Sequence, residues 1–311
     1  MRETRLVFLG TPDFAVPALL ALHEAYTVVA VVTQPDRTGG RGQKTTSPPI
    51  KKAAHSLGLP VLQPKKIQDS GFLAQLTGFC PDFLVTAAYG RILPVEVLEV
   101  PKVAALNIHA SLLPRYRGAA PIHRAIINGE TESGVTIMHM DAGMDTGAMV
   151  LQESVHVGLF DTAGDLHDKL SPLGAGLIVR AVSDILSGKA TRVRQDAALA
   201  TYAPPLSPEE ERIAWHAAAS SVHNLVRGMN PQPGAYTLCR GERLKILTGA
   251  PGPGGGPVCG QVLSTAGGVI LVAAGTGTYR MEKVQPAGRK PMTAAEYLRG
   301  NYLPEGTVFG A

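Results

Sequence analysis

Asn107 and His109 stand two residues apart at the end of the run "VAALNIHA", just before the chain breaks into "SLLPRYRGAAP". Strand side chains alternate, so these two polar groups share one face while Ile108 takes the other. An amide N–H can donate to an oxygen that gains negative charge, and an imidazole can hold or release a proton near neutral pH. That pair suits acyl transfer. The natural third member lies in "DAGMDTG" (141–147), a glycine-rich loop after another strand, carrying Asp141 and Asp145. A carboxylate beside the ring would hold its tautomer and favour its protonated form. Both aspartates could instead shape turns. A metal set of His109, His139, Asp141 and Asp145 finds no support in an HExxH or a closely paired ligand spacing.

The elements that must position these groups follow from periodicity. "RLVFLG", "YTVVAVVTQ", "PDFLVTAAYG", "VAALNIHA" and "SGVTIMHMD" read as strands, and "PDFAVPALLALHEA" and "SPPIKKAAHSLG" as helices. Alternation of this kind predicts an α/β, Rossmann-like, mostly parallel sheet covered on both faces, with ligands beyond the C-terminal strand ends. "FLGTPDF" is like the opening turn of a dinucleotide-binding fold but lacks GxGxxG, which argues against a nicotinamide dehydrogenase. A long helical pattern over 159–188, capped by Asp161 or Thr162 and ended by Gly188, closes a first domain at residue 188. Residues 189–207 have no sustained periodicity and end in prolines, as a linker does. Residues 208–311 begin with a mostly helical stretch, 208–229, and continue as short strands suited to a small, OB-like β-barrel, with "GAPGPGGGP" (249–257) as a mobile loop.

Charge is distributed unevenly. Residues 1–188 carry 16 Lys and Arg against 17 Asp and Glu, residues 189–207 carry 3 against 1, and residues 208–311 carry 10 against 7. The excess behind the net charge of +4 and the pI near 9.0 therefore sits in the linker and the C-terminal part. Within the first domain, Arg37, Arg41, Lys44, Lys51, Lys52, Lys65 and Lys66 face only Asp36 over residues 34–66. Both concentrations would attract a polyanion. Cys80, Cys239 and Cys259 are scattered and odd in number, against a disulfide framework or a thiolate metal site. No apolar run reaches the roughly 18 to 20 residues that span a bilayer, and the N-terminus enters a strand too early for a signal peptide, so a cytoplasmic location is expected.

Motifs add what spacing does not. "FLGTPDFAVPAL", "VVTQPDRTGGRGQK", "LNIHASLLPRYRGAAPIHRAI", "GVTIMHMDAGMDTGAM", "NPQPGAY" and "KPMTAAEYL" occur in the order found in the methionyl-tRNA formyltransferase family, which the chain resembles almost end to end. The resemblance implies transfer of the formyl group of 10-formyltetrahydrofolate to the α-amine of methionine on initiator tRNA, by a monomer that needs no metal. It implies Asn107, His109 and Asp145 as catalytic residues and Ser111, Leu112, Leu113 and Pro114 at the formylfolate site. It matches Arg37, Arg41 and Lys44 to the family's loop at the tRNA acceptor end. It places Arg243, Lys245, Lys283, Arg289 and Lys290 on the tRNA backbone. Pro205 and Ala214 stand where the family commonly has Lys and Asp, and Gln232 where it often has Trp. The rival reading is a folate-dependent formyltransferase acting on a sugar nucleotide; a catalytically silent RNA-binding module would not need the Asn, His and Asp set.

Overall fold

The computed structural model describes residues 3–39 and 44–310. Contacts divide the chain into two units, one of Met1–Pro121, Glu132–Val155 and His167–Pro204, the other of Ile122–Thr131, His156–Leu166 and Pro205–Ala311. In the first unit the strands are β1 (Arg5–Gly10), β2 (Thr27–Val32), the hairpin β3 (Arg37–Gly39) and β4 (Lys44–Thr46), β5 (Val61–Leu62), β6 (Phe83–Ala87), β7 (Ala104–His109), β8 (Glu132–His139) and β9 (Met149–His156). Helices α1 (Val16–Ala25), α2 (Pro49–Ser56), α3 (Ser70–Gly78) and α4 (Val95–Leu98) are interspersed, as is α6 (Ala163–Leu186) from His167 onward, while α5 (Pro121–Ile127) falls almost wholly in the second unit.

Seven strands form one sheet in the order β5-β2-β1-β6-β7-β8-β9, parallel from β5 to β7 and antiparallel at β7–β8. The chain builds outward from β1 in one direction and returns to build in the other from β6. The crevice for a ligand in such a sheet opens beyond the carboxyl ends of the strands, where the order reverses. Alternation decides what each face carries. Val7, Leu9, Leu84 and Ala105 pack with Phe72 and Leu76 of α3 and Val97 of α4. Ile108 meets α6 on the opposite face, where Gly174 lets the helix come close: a Cβ there would lie 2.8 Å from Ile108 Cγ2. Overpacking of that kind costs roughly 1 to 3 kcal/mol. Asn107 and His109, sharing parity with Ala105, continue the α3 and α4 face past the point where the helices cover it.

Of the two caps the sequence offered for α6, Thr162 takes the position. Thr162 Oγ1 accepts the Asp165 N–H at 3.1 Å and the Asp165 carboxylate accepts the Thr162 N–H at 2.9 Å, while Asp161 accepts the N–H of Gly158. Gly188, with φ +69°, follows the end of the helix.

The second unit contains α7 (Ala219–Gly228), β10 (Tyr236–Cys239), β11 (Glu242–Gly252), β12 (Val262–Ser264), β13 (Ile270–Ala273), β14 (Thr278–Pro286), β15 (Met292–Thr293) and α8 (Ala294–Gly300). Its antiparallel sheet runs β10-β11-β14-β13-β12, with β15 on β14, around a core that includes Trp215, Ile246, Val272, Tyr279 and Phe309. Trp215 is a packing residue: it stacks on Phe309 and donates from Nε1 to Thr237 Oγ1 at 2.9 Å. Two local expectations change. Only 219–228 of the stretch 208–229 is α-helical, because Ile213 and Trp215 are both buried and the Ile213 N–H donates to the carbonyl of Tyr236, as an extended segment does. And 249–252 of the glycine-rich loop is strand, with Gly249 fitting where a Cβ would meet the Arg280 carbonyl and the Tyr279 ring.

Within this unit Arg124 Nη1 donates to Glu210 Oε1 at 2.5 Å. Bonding by Arg124, then by the Ser207 N–H, brings the Glu210 carboxyl from its ordinary value of 4.5 down to about 2. A depressed carboxylate stabilises the fold above its unfolded value and loses that contribution as pH falls through its folded one. Glu210→Gln should therefore be less stable than the parent at pH 7, with the gap closing between pH 4.5 and about 2. Because the Glu210 side chain is 40% exposed, the gap at pH 7 should stay under about 1 kcal/mol. Denaturant melts of both proteins across that pH range check it, and a gap that persists at pH 2 would contradict it.

Candidate active site

The site grows from the pairing of β6 with β7. Thr86 lies opposite Asn107 in the parallel register, on the same face, and its hydroxyl is 2.6 Å from Asn107 Oδ1. On the other side of the amide, Asn107 Nδ2 is 3.5 Å from Asp145 Oδ1. These two neighbours settle which way the amide points. Were it turned over, its oxygen would face a carboxylate, acceptor against acceptor; as it stands Thr86 donates to Oδ1 and Nδ2 faces the Asp145 carboxylate. Asn107 is half-buried, so the remaining donor capacity is accessible.

His109 is 5% exposed, and its Nε2 lies 2.9 Å from the carbonyl oxygen of Tyr116. A carbonyl can only accept, so Nε2 carries a proton in either charge state of the ring. Nδ1 is then the nitrogen whose proton comes and goes, and it faces Asp145 Oδ2 at 3.6 Å. That distance exceeds a hydrogen bond but lets the charges act on one another, and it leaves each atom able to turn to a third group. Asp145 Oδ2 also accepts the Gly118 N–H at 2.8 Å, so the carboxylate has one fixed donor and one titratable neighbour.

The loop that presents Asp145 is shaped by its own residues. Asp141 Oδ1 accepts the Gly143 N–H at 3.0 Å and the Thr146 hydroxyl at 2.7 Å, so this aspartate forms the turn. Gly147 admits the close approach of the loop to β8: a Cβ there would fall 1.8 Å from the His139 carbonyl. Asp145 itself has φ +54°, a left-handed conformation that costs a residue with a Cβ on the order of 1 kcal/mol. His139 pairs with Leu106 in the β7–β8 ladder, so it belongs to the face opposite Asn107 and His109; burial, then Arg192, lowers its pKa. Asn107, His109 and Asp145 therefore converge, while Asp141 and His139 do other work.

Of the four residues of "SLLP", two turn inward. Ser111 is 1% exposed, with Oγ donating to the Arg115 carbonyl at 2.6 Å, and Leu113 is 3% exposed. Thr136, opposite His109 on β8, fastens this segment by donating to the Ser111 carbonyl and accepting the Leu113 N–H. Leu112 and Pro114 are half-buried and keep surface free. Nearby loops add apolar side chains, Ile92 at 76% exposure after β6 and Met144 at 56% beside Asp145.

The expected tRNA-facing cations fall in two groups. Arg41 lies outside the described residues, and of Arg37 and Lys44 only the backbone, in the β3–β4 hairpin, is described. Lys51, in the same basic stretch, is paired with Asp36 at 2.7 Å; hydrogen bonds from Lys51 and Gln63 lower the pKa of that carboxyl. On the second unit, Arg243 and Lys245 alternate with the buried Leu244 and Ile246 and so share one outer face of β11. Arg243 lies over the Tyr236 ring at 4.3 Å, and Lys245 Nζ donates to the Pro233 carbonyl at 2.6 Å. Lys283, Arg289 and Lys290 are exposed on and just after β14.

Sequence reasoning passed over Thr86, the Tyr116 carbonyl and the Gly118 N–H. Thr86 carried a readable signal, a polar residue inside an otherwise apolar strand. The two backbone groups carried none, since any residue has them.

Comparison with known proteins agrees with this architecture. The formyl transferase model matches residues 4–182, and the formyl transferase C-terminal domain model matches residues 205–302. The chain is 50% identical over 309 residues to methionyl-tRNA formyltransferase of Pelotomaculum thermopropionicum, covering 98% of each chain. It is 49% identical over 308 residues to that of Moorella thermoacetica, covering 98% of this chain and 99% of the other. Among solved structures, the sugar 3N-formyl transferase WlaRD, determined in the presence of dTDP and 5-N-formyl-THF, superposes with a TM-score of 0.67 at 19% identity, over 93% of this chain and 100% of that one. HypX from Aquifex aeolicus in complex with tetrahydrofolic acid gives a TM-score of 0.64 at 16% identity, over 95% of this chain and 47% of that one. These distant likenesses speak to the fold alone. With near-complete coverage at about half identity beneath a matching fold, the chain belongs to the methionyl-tRNA formyltransferase family.

Proposed function

We propose that Asn107, His109 and Asp145 carry out the transfer of a formyl group from 10-formyltetrahydrofolate to the α-amine of methionyl initiator tRNA. The observation that carries this reading is their convergence: an oriented amide donor and a ring nitrogen each face an oxygen of the same carboxylate, at 3.5 and 3.6 Å, beside the end of β7. The full-length relatives named for this activity supply the substrates; sugar formyl transferases are related at the level of the fold.

The donor set fits a bound formylfolate, which supplies an electrophilic carbonyl carbon on a nitrogen able to leave. The rest falls to the chain. Leu112 and Pro114, with their buried neighbours Ser111 and Leu113 holding the turn, form a wall for the folate. Asn107 Nδ2 donates to the carbonyl oxygen as it gains charge, a task worth far more in a dry, prearranged site than in water. The protonated His109 gives a second positive centre at Nδ1. Asp145 favours that cation and takes up the proton shed by the attacking amine; Nδ1–H gives its proton to the leaving nitrogen and is reprotonated from Asp145, so the proton count closes. An α-amine has an ordinary pKa of about 7.7 to 8, so a useful neutral fraction exists without strong activation.

Residues 1–188 would thus hold the chemistry, 189–207 would connect, and 208–311 would bring Arg243, Lys245, Lys283, Arg289 and Lys290 toward tRNA phosphates, with Arg37, Arg41 and Lys44 at the acceptor end. On this reading the enzyme works in the cytoplasm as a monomer. No helix among the described residues is long and apolar enough to cross a membrane.

The direct test is formyl transfer by the purified protein to charged initiator tRNA. His109→Ala and Asn107→Ala should each lose roughly 10²- to 10³-fold in turnover; a folded His109→Ala protein with parental turnover would remove His109 from the site. Thr86→Val keeps the shape but lets the Asn107 amide turn, and should cost about 1 to 1.5 kcal/mol, or roughly 10-fold in kcat/KM. Unchanged kinetics there would mean that the amide needs no such anchor. Replacing Lys283, Arg289 or Lys290 by Gln should lessen the dependence of log(kcat/KM) on log salt by roughly 1 per phosphate contact removed. An unaltered slope in all three would take this face off the tRNA.

A further inference from the structure

The segment 195–203, which follows α6 and has no periodicity of its own, touches the backbone of both loops that make the site. Gln195 Nε2 donates to the carbonyls of Asp145 and Gly147, each at 2.8 Å. Its Oε1 accepts from Nε and Nη2 of Arg117 at 3.0 and 2.8 Å, and Arg117 is 5% exposed. Arginine can only donate and a carbonyl can only accept, so all four contacts are satisfied by one orientation of the Gln195 amide. Six residues on, Thr201 accepts the Tyr116 N–H through Oγ1 at 2.9 Å and the Arg117 N–H through its carbonyl at 2.9 Å, and Ala203 donates to the Arg117 carbonyl at 2.7 Å.

These ties fall at the two strained residues of the site. Tyr116 (φ +60°) and Asp145 (φ +54°) are both in the left-handed region, which an aromatic residue with a Cβ rarely occupies. Conformations of that kind persist only where surroundings over-determine them. Tyr116 presents the carbonyl that holds His109 Nε2, and Asp145 presents the carboxylate facing Nδ1. Both sides of the imidazole are therefore referenced to one short stretch of chain, and the Arg117–Gln195 contact links them.

We propose that Gln195 is a positioning residue for formyl transfer. Through the Arg117 side chain it couples the loop that orients His109 to the loop that presents Asp145, and so sets the separation of the His109–Asp145 pair. This rests on the assignment of Asp145 to the chemistry. Gln195 touches neither reacting group, so its effect should travel through Asp145 and vanish where Asp145 no longer acts.

The experiment is a double-mutant cycle on the full chain, with kcat and KM for both substrates and a thermal melt for each protein. Gln195→Met removes all four hydrogen bonds at nearly constant volume. Gln195→Glu keeps an acceptor for Arg117 but sets a second oxygen against the carbonyls of Asp145 and Gly147. Both should lower kcat about 10- to 100-fold, the scale of a misplacement near 1 Å, with both KM values near those of the parent. In an Asp145→Asn background the same changes should add almost nothing, because the step they disturb is already lost. Equal fold-losses with and without Asp145, or a Gln195→Glu protein with parental kcat, would overturn the proposal. A loss matched by a lower melting point and restored in full on cooling would also overturn it, by making the role one of stability. If Gln195→Met does not fold, Gln195→Glu decides. Should Asp145→Asn itself turn over normally, the assignment of Asp145 fails, an outcome distinct from failure of the coupling.

Discussion

An imidazole with one nitrogen fastened and the other free is the constraint on which the site depends. The Tyr116 carbonyl takes the Nε2 proton, which leaves Nδ1 as the atom whose charge state can change, and Asp145 is brought to face that atom at 3.6 Å. Neither partner is close to His109 by secondary structure. Tyr116 sits in a turn that no helix or strand would impose, and Asp145 reaches the site from the far end of β8. A bond to a carbonyl costs nothing in side-chain identity, yet it decides the tautomer and hence which atom can do acid-base chemistry.

Much of the surrounding fold reads as support for that arrangement. The parallel register of β6 on β7 puts Thr86 beside Asn107, and the antiparallel register of β8 puts Thr136 beside His109. One hydroxyl orients the amide; the other fastens the segment after the strand by bonding Ser111 and Leu113. Each threonine serves a backbone or an amide rather than a substrate. A buried hydroxyl is costly without a partner and strongly directional with one, which makes it a precise device for aiming a neighbour.

The stretch after α6 makes contacts that composition does not announce. With no amphipathic pattern, residues 189–207 have the look of a tether between domains. Within it, residues 193–203 are bonded into the first unit: Val193 bridges Met149, Gln195 holds the Asp145 loop, and Tyr202 bridges Arg117. Those are single backbone or side-chain contacts without a repeat, and periodicity detects only repeats. The buried Arg117 is the one local hint, since a cation in that position must find acceptors somewhere.

The sequence by itself determined strands β1, β2, β6, β7 and β8 and helices α1, α2 and α6, the shared face of Asn107 and His109, a cap for α6 at Asp161 or Thr162 and the placement of excess positive charge after residue 188. These are consequences of periodicity, of capping chemistry and of counting, all of which act over a few residues. Spacing marked Asp141 and Asp145 as a pair without saying which would shape the turn and which would face the ring; the family resemblance alone singled out Asp145. Tertiary structure decided that, together with the turn of the Asn107 amide, the tautomer of His109 and the bracing of two left-handed residues. Each of these is fixed by a partner distant in the chain, and hydrogen-bond directionality, not residue type, makes the selection.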